Sequence, residues 1–197
     1  MRNKSLLMTI AISLIAMSSF AQVKGTFTDS RDGKIYITVK IGTQTWMAEN
    51  LAYEARRGCW AYDNNATNVA KYGYLYDWET AKTVCPTGWH LPTDDEWTTL
   101  TTYLGGEAFS GEKMKSTRGW FENGNGTNTS GFSALPGGYR SKYDTFDNVG
   151  SYGYWWSSTE SYAATAWNWY ICCKYSYVDR FSYNKSLGHS VRCIRDF

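Results

Sequence analysis

The alternation of apolar and polar positions is clearest at residues 35–41, IYITVKI. Ile35, Ile37, Val39 and Ile41 alternate with Tyr36, Thr38 and Lys40, the period of a half-buried strand. Asp32-Gly33 before it and Gly42-Thr43 after it are turn signals. Residues 26–51 therefore read as a hairpin or meander ending in Trp46 and Met47. Residues 52–76, rich in Asn, Ala, Tyr and Gly, read as loop, and DWETAKT at 77–83 as a short helix.

The next regular pattern is helical. Trp97, Leu100 and Leu104 recur on one helix face, and Gly105-Gly106 stops the run. Thr93-Asp94-Asp95-Glu96 precedes it as a capping box: the Thr93 hydroxyl accepts from the Glu96 amide, and the Glu96 carboxylate reaches back to the Thr93 amide. Asp94 and Asp95 also suit the positive end of the helix dipole. A helix start thus accounts for the acidic cluster better than a catalytic carboxylate pair, and His90 reads as a packed or hydrogen-bonded residue. Residues 106–150, with their glycines and polar turns, read as ordered irregular loops. Their glycines do not fall between a strand and a helix, so no phosphate cradle is indicated.

From residue 152 the aromatic density peaks. Trp167, Trp169, Ile171, Cys173, Tyr175 and Tyr177 fall on one face of an extended strand; Asn168, Tyr170, Cys172, Lys174, Ser176 and Val178 fall on the other. A turn near Asp179-Arg180 leads into a second strand with Phe181 and Tyr183. SVRCIRD then forms a closing strand.

The N-terminus changes the picture of where the chain works. Arg2 and Lys4 precede an apolar run from Leu6 to Ile15, too short for a bilayer. Ser19 and Ala21 occupy the small positions of a cleavage site. Residues 1–21 are expected to be a cleaved signal peptide and 22–197 the single mature domain, long enough for a full core. The expected compartment is exported: periplasmic, extracellular or cell-surface. No later segment is apolar enough to span a membrane. Loss of the two leader cations reduces the 20 Lys and Arg to 18, equal to the 18 acids. A neutral chain argues against nucleic acid and anionic lipid as partners.

Ten Trp, sixteen Tyr and eight Phe admit two readings: a core built of rings, or rings that face solvent and bind. Five cysteines in an exported chain favour disulfides, with at least one thiol left over or bonded between chains. No spacing suggests a zinc site, and no cofactor is expected.

YDWETAKTVCPTGWHLPTDDEW, GFSALPGGYR, WWSST and SVRCIRD, together with the earlier DGKIYITVKIGTQTWMAENL, resemble the Fibrobacter succinogenes major paralogous domain in this order. The resemblance covers about residues 25–196. It implies an α+β, C-type-lectin-like fold with two short helices packed on small antiparallel sheets and long irregular loops. That fold is related to the formylglycine-generating (sulfatase-modifying) enzymes, whose RLPT-E-EW and GFRC motifs are similar to HLPTDDEW and SVRC here. It further implies a disulfide from Cys85 to Cys193, with Pro86 and Pro92 setting the crossing of the helices and Trp89 and Trp97 filling the seam against the sheet. The cysteine that in the family often follows the one matching Cys59 is replaced by Val69. Cys59 is left to pair with Cys172 or Cys173, or all three remain reduced.

In lectin-like domains the ligand face is built by the late strands and their loops. Segment 162–187 implies a ligand-binding set of Tyr170, Cys172, Tyr175, Tyr177, Asp179, Phe181, Ser182, Tyr183 and Leu187. Each of these types has a codon reachable from an Asn codon by changing adenines alone, as in faces diversified by retroelements. Carbohydrate and protein are equally compatible ligands. A calcium-dependent sugar site is disfavoured, because there is no acidic-Pro-Asn motif and WNW at 167–169 lacks the acid. The alternative is a copper oxidase of substrate cysteines like the formylglycine generators. It is disfavoured because Cys172 and Cys173 are adjacent, and neighbours on a strand point to opposite faces. No catalytic residues are assigned: His90 lies in the scaffold motif, and His189 has no nucleophile elbow beside it.

Overall fold

A computed structural model describes residues 22–196; the expected leader, residues 1–21, lies outside them. The chain folds as α+β, with short helices packed against two curled sheets.

The smaller sheet contains β1 (Val23–Thr28), β2 (Ile35–Ile41), β3 (Gln44–Met47), β6 (Trp89–His90) and β13 (Ile194–Arg195), in the order β1-β2-β3-β13-β6. The predicted strand 35–41 forms, but its buried face is not the isoleucine face throughout. Ile35 and Ile37 are 61% and 47% exposed, whereas Tyr36 and Val39 are fully buried. The Tyr36 ring enters the core, and its hydroxyl accepts the Ala52 amide at 3.0 Å. One anchored ring thus reverses the inward face of the strand's first half.

The larger sheet has the order β11-β10-β9-β12-β5-β4. These strands are β4 (Cys59–Trp60), β5 (Leu75–Tyr76), β9 (Tyr152–Tyr162), β10 (Thr165–Cys172), β11 (Val178–Asn184) and β12 (His189–Ser190). The hairpin of β7 (Gly137–Arg140) and β8 (Phe146–Val149) joins it through a parallel β7–β9 bridge.

Two helices were expected, and among the described residues there are four: α1 (Val69–Tyr72), α2 (Trp78–Val84), α3 (Asp94–Tyr103) and α4 (Glu107–Met114). The one-turn α1 and α4 both lie in stretches that read as loop. Helix α4, EAFSGEKM, has a glycine N-cap and a central glycine, so it lacks the usual start signal and has weak intrinsic propensity. It forms because it packs, burying Ser110, Gly111 and Met114. Helix α3 starts as predicted, with both hydrogen bonds of the capping box present.

The core has two lobes. In one, Trp97 of α3 lies among Trp46 (4.9 Å between ring centroids), Phe132 (5.7 Å) and Trp169 (6.0 Å, stacked). In the other, Trp78, Ala81 and Val84 of α2 pack with Tyr36, Met47, Tyr76 and Trp156. Most of the buried indoles reach an acceptor, as buried rings with a polar handle should. Trp78 donates to the Ser157 carbonyl, Trp156 to the Tyr76 carbonyl, Trp155 to Asn50 and Trp169 to Asp94, each at 2.8 Å. The tryptophans thus largely answer to the core reading of the aromatics.

Cys85 at the end of α2 is bonded to Cys193 just before β13, with Cα atoms 6.0 Å apart and a sequence separation of 108. Cys59, Cys172 and Cys173 are free thiols.

Candidate functional site

Strands β9, β10 and β11 run antiparallel, with Tyr154, Tyr170 and Asp179 in register across them. Side chains in register share a face. This face therefore carries Tyr152 and Tyr154 from β9, Tyr170 and Cys172 from β10, and Asp179, Phe181 and Tyr183 from β11. The opposite face carries Trp155, Trp169 and Val178 into the core.

Two adjoining clefts open on the tyrosine face. One, of 610 Å3, runs between the β7–β8 hairpin and β11 and is bordered by Tyr139, Asp147, Tyr154, Tyr183, Leu187 and His189 among others. The second, of 340 Å3, is bordered by Tyr152, Tyr170, Cys172, Tyr175 and Tyr177. Asn148, Tyr154 and Tyr183 border both and join them into one groove.

The rings hold one another in place. Tyr154 stacks with Tyr152 at 5.6 Å and with His189 at 5.3 Å, and meets Tyr139 edge-on at 5.5 Å. Beneath them His189 is enclosed, stacked on Trp156 at 4.3 Å. Its Nδ1 lies 2.7 Å from Asn168 Nδ2. Complete burial pulls the His189 pKa down to about 3, so the ring is neutral at physiological pH and serves as a platform. Asn168 also donates to the Trp155 carbonyl at 3.0 Å. The asparagine of WNW is thus a core strut.

Polar tips are fixed as well. The Tyr170 hydroxyl donates to Asp179 at 2.9 Å, and Asn148 donates to the Tyr154 hydroxyl at 3.0 Å. Burial, then the neighbouring Asp179 carboxylate, raises the Tyr170 pKa, and burial raises that of Tyr154. The neighbouring Cys172 thiol is the main cause of a Tyr152 pKa of about 12. All three hydroxyls keep their protons at neutral pH and can donate as well as accept.

The nine residues expected to form a ligand set gather here, with differing parts. Tyr170, Tyr175, Tyr177 and Tyr183 wall the groove, and Leu187 closes its far border. Phe181, 58% exposed, leans on Tyr183 with centroids 5.3 Å apart. Asp179 orients Tyr170. Cys172, 2% exposed, is a floor residue rather than a contact. Ser182 borders the groove, but its hydroxyl is 2.5 Å from that of Ser161.

The turn between the two strands lies earlier than the alternation suggests. Strand β10 ends at Cys172, residues 173–177 form the connection, and Asp179-Arg180 belong to β11. Helix α4 and the segment after it cause this. The Glu112 amide donates to the Ser176 carbonyl at 3.1 Å, and Lys115 Nζ to the Tyr175 carbonyl at 3.0 Å. Carbonyls taken in this way leave the sheet, so Tyr175 and Tyr177 stack on each other at 4.9 Å on a loop. The change also removes the basis for the argument that Cys172 and Cys173 point apart: Cys173 lies past the strand end, and both side chains are buried.

Tyr139, Asn148, Tyr152, Tyr154 and His189 complete the groove and were not anticipated. Only the density of tyrosines around residue 152 signalled them. The β7–β8 hairpin is hidden in a glycine-rich stretch, and β12, which carries His189, is two residues long.

His90 is hydrogen-bonded to Glu96 at 2.9 Å and Asp196 at 2.6 Å. Asp94 accepts from Trp169 and pairs with Arg180. Both residues therefore belong to the frame, as does the acidic cluster.

Fold and groove together define an α+β domain that presents a tyrosine-walled cleft along its larger sheet. The family described as Fibrobacter succinogenes major domain matches residues 39–195, and the chain belongs to that family. No curated protein and no solved structure matches it. No helix among the described residues is long and apolar enough to cross a membrane.

Proposed function

We propose that the chain is an exported, lectin-like recognition module that binds carbohydrate or protein through the tyrosine groove. The observation that carries the reading is the joined cleft itself, walled by Tyr139, Tyr152, Tyr154, Tyr170 and Tyr183. Tyrosine gives broad contact at low entropic cost, and its ring faces stack on sugars or apolar side chains while its hydroxyl selects polar partners. Rings already ordered by mutual packing lose little freedom on binding, which favours affinity. The exposed Tyr175, Tyr177 and Phe181 rim the hairpin, where side chains can change without touching the core, as a diversified face requires.

The test is a glycan and surface-protein array with the purified protein. A hit should weaken by about tenfold or more in a Tyr170→Ala, Tyr183→Ala variant, as for aromatic hot spots. Undiminished binding by that folded variant would place the site elsewhere.

The copper-oxidase alternative keeps one favourable observation, two neighbouring free thiols at Cys172 and Cys173, since paired soft thiolates suit Cu(I). Against it, both are nearly buried, at 2% and 5% exposure. Oxygen uptake on a cysteine peptide in the presence of copper, abolished by Cys172→Ser, is the result that reading requires.

A further inference from the structure

A second cleft lies away from the tyrosine groove and shares no lining residue with it. It has a volume of 380 Å3 and lies among β1, the start of β2, residues 48–50, α1 and residues 116–118. Four cations line it: Lys24, Lys34, Lys71 and Arg118. Among the described residues none of the four forms an ion pair. Among the described residues Glu49 is the one acid lining it, and its carboxylate accepts the Ile37 amide at 2.8 Å. Lys71, Arg118 and Glu49 continue into an adjoining cleft of 560 Å3.

A fifth cation lies beneath the floor. Arg192 is fully buried and donates to Asn50 Oδ1 at 2.7 Å, to the Met47 carbonyl at 3.2 Å and to the Phe132 carbonyl. Among the described residues no carboxylate is hydrogen-bonded to it, and Glu49 is the acid whose charge acts on it. Asn50 in turn lines the cleft. Burial lowers the Arg192 pKa to about 9, which still leaves the guanidinium protonated at neutral pH. Water and salt screen a buried charge poorly, so its field reaches the cleft. A nearly balanced overall composition, 20 Lys and Arg against 18 acids, hides this concentration of like charge, which only the fold assembles.

Four cations gathered around a single acid repel one another, and an anion that enters relieves the repulsion. We propose that this cleft binds a compact polyanion carrying several phosphate or carboxylate groups. The volume is at the small end of ligand sites and suits a small molecule rather than a duplex.

Calorimetry at low ionic strength with inorganic tripolyphosphate, citrate and neutral maltotriose tests the proposal. Saturable binding of tripolyphosphate or citrate, weakening as salt is added, with no maltotriose signal, is the expected result; the tighter of the two identifies the anionic group. Lys71 and Arg118 are exposed, so a Lys71→Ala, Arg118→Ala variant should fold normally. Loss of two charge-assisted contacts should weaken binding by about tenfold or more. Lys24→Gln, Lys34→Gln serves as an independent second variant. The Tyr170→Ala, Tyr183→Ala protein should bind the anion unchanged, which separates this site from the tyrosine groove. Absence of saturable binding of either anion, or equal affinity in wild type and both cation variants, overturns the proposal.

Discussion

His189 and His90 respond to acid in opposite senses. His189 has a folded pKa of about 3, below the usual 6.5 of the unfolded chain. The unfolded state therefore takes up the extra proton, and the fold loses stability as pH falls from about 6.5 towards 3. For His90, burial opposes the charge but hydrogen bonds to Asp196 and Glu96 win and raise its pKa. Its contribution is fully present below the unfolded pKa and fades as pH rises through the folded value. Urea midpoints measured against pH should show a shallower acid limb in His189→Phe than in wild type, and a steeper one in His90→Gln. Parallel curves for all three would refute both assignments. Thr93→Ala removes the N-cap and should cost about 1 kcal/mol by the same measurement. The capping residue was readable because its partner is three positions away. The platform role of His189 was not, because the rings around it come from three other strands, β7, β9 and β11.

Helix α4 decides the shape of the groove's outer edge. Gly111 turns its bare Cα towards the loop that carries Tyr175 and Tyr177; a Cβ there would meet the carbonyl oxygens of Ser176 and Tyr177 at 2.6 Å. Gly111→Ala improves helix propensity by about 1 kcal/mol. The clash should nevertheless lower stability, net, by about 1–3 kcal/mol, as overpacking does. Denaturant unfolding checks the sign, and a gain in stability would show that the loop is not docked on the helix. The same contact explains why the turn was misplaced from sequence. Alternation through YICCKYSYV continues past Cys172, and nothing local reveals that α4 and Lys115 take the carbonyls of Cys173, Tyr175 and Ser176. Local signals located β2, α2 and α3. They missed α4 and the β7–β8 hairpin, whose glycines signal irregularity and whose order comes from tertiary contacts.

At the scale of the molecule, the two sheets, α2 and α3 form a frame with the groove on one flank and the cationic cleft elsewhere. The Cys85–Cys193 bond closes a loop of about 108 residues, worth about 4–5 kcal/mol in the chain-entropy model. A Cys85→Ala, Cys193→Ala protein should unfold at a markedly lower urea midpoint, and a midpoint unchanged from wild type would show that the frame does not depend on the bond. The groove was legible in outline, because its strands carry an excess of tyrosine; the cationic cleft was invisible, because its charges are scattered from Lys24 to Arg192 and cancel in any sum. One feature of the smaller sheet bears on how the protein is made. β13 sits between β3 and β6, so the strand that joins them is the last of the five to leave the ribosome. Until it arrives, two strand edges wait unpaired and the half-cystine at position 85 has no mate, so the smaller sheet cannot close until synthesis is almost complete.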